Sequence, residues 1–93
     1  MNTNNKPQEK EIIITNFLKK ISGELSSYAR DLILHFMDVG EFTVALETLC
    51  SAIIEEKVKV DVSILPELFD VLEENPVDNE ILNHFRTYMN SSL

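Results

Sequence analysis

Glycine occurs only twice in these 93 residues, proline three times, cysteine once and tryptophan not at all. Two glycines cannot build the glycine-rich loops that cradle phosphates or dinucleotides, and so few chain breakers favour helices over a turn-rich β fold. A single cysteine allows no internal disulfide, in agreement with a reducing compartment. The apolar run Ile12 to Ile14 is far too short for a signal-peptide core or a membrane span, so a cytoplasmic location is expected. Bases are scarce as well: eight Lys and Arg stand against 16 Asp and Glu, a formal net charge of −8. Phosphate contacts need clustered Lys and Arg, so this balance argues against a nucleic-acid surface and points to a basic partner.

What is present is helical periodicity. Ninety-three residues make one domain, expected over residues 8–90, with a disordered polar tail at 1–7 and a frayed end at 91–93. The expected fold is an all-α compact bundle of about five helices, organised around a central helix from about Glu41 to Lys57. There Phe42, Ala45, Leu46, Leu49, Ala52 and Ile53 share one arc at 100° per residue, opposite Thr43, Glu47, Ser51 and Glu55. Gly40 can supply the positive φ that closes the preceding helix, and Glu41 places a carboxylate at the amide-rich start of the next.

A first helix is predicted from about Pro7 to Ser22, closed by Gly23, with Ile13, Ile14, Phe17, Leu18 and Ile21 inward. A second, from about Glu24 to Val39, should turn Leu25, Tyr28, Ala29, Leu32, Phe36 and Val39 to the core. That phase leaves Leu34 and Met37 needing a second neighbour, either another helix of the chain or a partner. The alternating Val58, Val60 and Val62 read as a loop tucked onto the core, because no other segment is there to pair with them as a strand. Ser63 is the predicted N-cap of a fourth helix reaching Glu74, with Leu65, Leu68, Phe69 and Leu72 inward. Asp78 or Asn79 should cap a fifth, running to about Asn90 with Ile81, Leu82, Phe85, Tyr88 and Met89 inward.

Charge is distributed unevenly along this plan. Residues 1–60 hold nine acids and seven bases, whereas residues 61–93 hold seven acids and one base. Glu67, Asp70 and Glu74 fall together on the solvent face of the fourth helix with Glu73 beside them. The candidate partner-binding residues are therefore Asp61, Glu67, Asp70, Glu73, Glu74, Asp78 and Glu80. A solvated face that serves solubility is the bland reading of the same acids.

No catalytic constellation emerges. Acid–base work needs a desolvated carboxyl, but these acids lie opposite the apolar stripe, where water keeps them ionised. Neither His35 nor His84 is followed four residues later by a Cys, His or carboxylate, as a helical metal site would want, and Cys50, beside the buried stripe, reads as a small core residue. No enzyme activity, cofactor or metal is expected.

The run Phe36, Asp38, Val39, Gly40 and Glu41, then Ala45, Leu46, Glu47, Leu49 and Cys50, followed by Val60 and the fourth helix, resembles the small helical immunity proteins of bacterial polymorphic-toxin systems. The likeness is to the Maf type and to those of contact-dependent growth inhibition, and it spans roughly Tyr28 to Asn75. It implies a cytoplasmic monomer that binds the toxin domain of its own system in a heterodimeric complex and covers its active site or substrate groove. A basic nuclease would suit the charge. Contact residues do not carry over, because such proteins diverge where they select their toxins. Two rivals stay open: a helical adaptor or regulatory subunit using the Leu34 and Met37 region, and an acidic mimic of DNA.

Overall fold

The computed structural model describes residues 9–21 and 24–92. Five helices account for most of them: α1 (Glu9–Ile21), α2 (Ser27–Asp38), α3 (Phe42–Glu55), α4 (Leu65–Glu74) and α5 (Asn79–Ser92). A single 3-10 turn, Val62–Ile64, leads into α4, and no strand occurs among the described residues. The all-α bundle is thus present, with its central helix somewhat shorter than the expected Glu41 to Lys57. The expected tail at 1–7 and the closing Gly23 lie outside the described residues, and α5 continues through Ser92.

The central helix sits where its composition places it. Ala45, Leu46, Leu49, Cys50 and Ile53 are fully buried, and Phe42 packs half-buried against the same cluster. Helix α2 lies along one side of α3 and α5 along another, while α1 packs on α4. Helices α2 and α3 both end by the same device. Gly40, at φ +82°, donates its N–H to Met37 O while Glu41 N–H reaches Phe36 O. Lys57, at φ +55°, repeats the pattern onto Ile54 O, with Val58 N–H on Ile53 O. A left-handed residue is what lets the chain bond back onto the orphan carbonyls of the last turn. The sequence signals this at Gly40 but not at Lys57. Glu41 precedes α3 without capping it through its side chain.

The expected phase of the second helix holds at Leu25, Ala29 and Phe36 but fails at Tyr28 and Val39. Ser26 caps α2, its Oγ accepting from Ala29 N at 3.1 Å. The helix starts at Ser27, not Glu24, and its buried line is Ala29, Ile33 and Met37, with Leu32 and Phe36 half-buried. Tyr28 and Val39, expected inward, are 77% and 56% exposed. Met37 needs no external neighbour, whereas Leu34 is exposed. Apolar residues at 32, 33, 34, 36 and 37 occupy more than half the helix circumference, so periodicity alone leaves the phase free by about one residue.

A second correction concerns the entry to α4. Asp61, not Ser63, does the capping: its Oδ1 accepts from Ser63 N at 2.9 Å and starts the 3-10 turn. Of the three alternating valines, Val58 is buried and Val60 partly so, but Val62 is carried outward by that turn. Tyr88 on α5 fastens the loop, its hydroxyl donating to Val58 O at 2.9 Å. Along α4 the buried set is Leu65, Leu68, Val71 and Leu72, with Phe69 half-buried. Val71 adds to the set the periodicity predicts.

Candidate protein-binding surface

Burial of Leu68, Val71 and Leu72 fixes the rotation of α4 and leaves Glu67, Asp70 and Glu74 on its exposed side. At spacings of three and four residues they stand on neighbouring turns of one face. None of the three has an ion-pair partner among the described residues. Glu67 lies in the first turn, where its charge also complements the helix dipole.

The other four acids have different situations. Glu73 pairs with Arg86 at 3.4 Å, and that guanidinium lies over the Phe69 ring, 5.7 Å from its centroid. Phe69 meets Phe85 at 5.7 Å between centroids, so Glu73 belongs to the seam between α4 and α5. Asp61 is held by its cap. The Ser63 amide, then the Ser63 side chain, and more weakly the Lys20 charge hold its carboxyl below the usual range. Asp78 caps α5, accepting from Glu80 N at 2.9 Å and Ile81 N at 3.4 Å. Glu80 is exposed in the first turn of α5. Structure therefore separates the seven into four outward carboxylates, two caps and one member of a local ion pair.

A second acidic region went unrecognised in the sequence. Between α2 and α3, with Ile81 of α5 reaching in, lies a groove of about 370 Å³ whose lining joins apolar Leu32 and Val44 to Tyr28, Glu47, Glu55 and Glu56. Two of its carboxylates also bind backbone. Glu47 Oε2 accepts from Asp78 N at 2.8 Å, tying α3 to the turn before α5. Glu56 accepts from Ser26 N at 2.7 Å and from Ser26 Oγ at 2.8 Å, joining the end of α3 to the start of α2. Reading α2 forward from a cap at Ser26 would have turned Tyr28 outward and revealed the groove's edge.

Among the described residues no group of three or more His, Cys, Asp or Glu could hold a metal. Burial, with the Glu47 charge adding to it, pushes the Cys50 thiol from its ordinary 9.0 up to about 12. At neutral pH it is therefore neither ionised nor accessible, and it packs as a small apolar side chain. The linkage has a definite sign. Between pH 9 and about 12 the unfolded thiol ionises while the folded one does not, so stability falls as pH rises through that window. A thiol-reactive disulfide reagent at pH 8 should label Cys50 only as fast as the protein opens, then completely on adding denaturant. Rapid labelling of the native chain would contradict this placement.

No helix among the described residues is long and apolar enough to cross a membrane. No family model, no curated protein and no solved structure matches the chain.

Proposed function

We propose that this chain is an immunity protein, which binds and neutralises a cognate toxin domain with a basic surface, a nuclease being the class that fits best. The observation that carries this reading is the unpaired triad Glu67, Asp70 and Glu74 on the exposed face of α4, in a chain of net charge −8. A nuclease groove must be basic to hold phosphates, and a fixed row of carboxylates presents the complementary field. Steering by such a field raises association rates by roughly 10–10³-fold. Once docked, the bundle occludes the active site or substrate groove by its bulk, so it needs no catalytic residue, cofactor or metal of its own. It would work in the cytoplasm, where its toxin is made or delivered.

The resemblance over Tyr28 to Asn75 supplies the toxin-related part of the proposal, and the α4 face supplies the charge. An adaptor using the Leu34 and Met37 region is less well supported, because Met37 is buried and leaves Leu34 as the exposed member of that pair.

The test is co-expression with the product of the reading frame immediately upstream. That product alone should arrest growth, and the chain should restore growth and co-purify with it. A harmless upstream product, or one that does not co-purify, would sink the reading.

A further inference from the structure

The groove between α2 and α3 differs in charge from three others among the described residues. One near the end of α1 mixes Lys20 and Lys59 with Glu24 and Asp61, one between α4 and α5 pairs Arg86 with Glu73, and one between α1 and α2 carries Lys19 and Arg30. The α2–α3 groove has carboxylates at its edge and neither lysine nor arginine in its lining. Leu32, Val44 and Ile81 give its lining an apolar part, and Tyr28 in the same lining is 77% exposed, more than any other large hydrophobic side chain described. A tyrosine left in water next to an apolar lining has the composition of a binding hot spot, and its ring face attracts a cation. Glu47 and Glu56 are held in place by backbone N–H groups, while Glu55 is exposed with no partner among the described residues.

We propose that this groove receives an arginine- or lysine-bearing segment of the partner protein. The aliphatic stem of the basic side chain lies along Leu32 and Val44, and its charged head sits between the Tyr28 ring and Glu55. Arginine fits better than lysine, since a planar guanidinium can stack on the ring and bond the carboxylate at once. This inference rests on the partner being a basic protein, but not on α4 being its contact. The chain then presents two acidic surfaces of different kind: a ridge that acts through its field, and a groove that takes a side chain.

The experiment is a titration of the full, isotope-labelled chain with acetyl-Leu-Arg-Leu-Arg amide, followed by backbone amide shifts, with the Gln-for-Arg peptide as control. Saturable shifts should cluster around Tyr28, Ser51 and Glu55 for the arginine peptide alone. Tyr28→Ala and Glu55→Gln, both at exposed positions, should each weaken binding several-fold with the amide spectrum otherwise retained. Glu67→Gln with Asp70→Asn and Glu74→Gln should leave groove binding unchanged. Shifts absent, spread over every carboxylate, centred on α4 or insensitive to Tyr28→Ala would overturn the proposal. Because the peptide reads the groove without any toxin, failure here leaves the co-expression result standing, and failure there leaves a groove that still binds basic segments.

Discussion

Leu49→Ala is expected to cost about 2–5 kcal/mol of folding stability. Leu49 is fully buried at the middle of α3, the helix against which both α2 and α5 pack. Three carbon atoms removed there leave a space that a packed core fills only in part. Domains of this size have only about 5–15 kcal/mol to lose, and each kcal/mol moves the midpoint of a 60–100-residue domain by roughly 4–8 °C. A fall of roughly 10 °C or more should therefore be seen by circular dichroism, together with a lower urea midpoint at unchanged slope. An unmoved midpoint would mean that α3 is rotated away from its described packing.

Charge reversal on α4 should have the opposite profile, with fold retained and function lost. Replacing Glu67, Asp70 and Glu74 by Lys shifts each position by two units, so the triple variant carries −2 in place of −8. All three side chains are exposed, and the apolar side of α4 is untouched. The local cost is about 0.3–1 kcal/mol for a base in place of Glu67 at the helix start. Helix content should stay the same, while protection against the toxin disappears. If the carboxylates act at the rim, the loss is in the association rate and shrinks with salt, because the Debye length is only about 8 Å at physiological ionic strength. If one of them is desolvated in the complex, breaking its pair costs about 2–5 kcal/mol, seen mainly in dissociation. Rates measured at low and high salt separate the two cases. Full protection by the triple variant would show that this face is merely solvated.

Much of the bundle was legible because α1, α3, α4 and α5 each keep one apolar arc, and burial follows that arc. Helix α2 broke the pattern because apolar residues extend around it from Leu32 to Met37, and only the neighbours decide which are covered. The α4 face could be read for the same reason as its core, since Glu67, Asp70 and Glu74 are what remains once Leu68 and Leu72 point inward. What could not be read were partnerships across the chain. Glu73 meets Arg86 thirteen residues away, and Glu47 and Glu56 cap backbone about thirty residues distant. Asp61 and Ser63 are both competent caps two residues apart, and their residue types alone do not choose between them.

The contact between Glu56 and Ser26 has a consequence for how the molecule opens. Ser26 uses its hydroxyl twice, donating to Glu56 and accepting from Ala29 N, so the start of α2 and the end of α3 share one bonded node. Helix ends ordinarily unzip one at a time, each independent of the rest. Fraying of the first turn of α2 therefore disturbs the same hydroxyl that holds Glu56, which couples the two helix ends. The two helices form a closed ring of chain, joined by Gly40 at one end and clasped by Glu56 at the other. Tyr28 and Glu55 lie on the two helix ends that this clasp joins, beside the same groove.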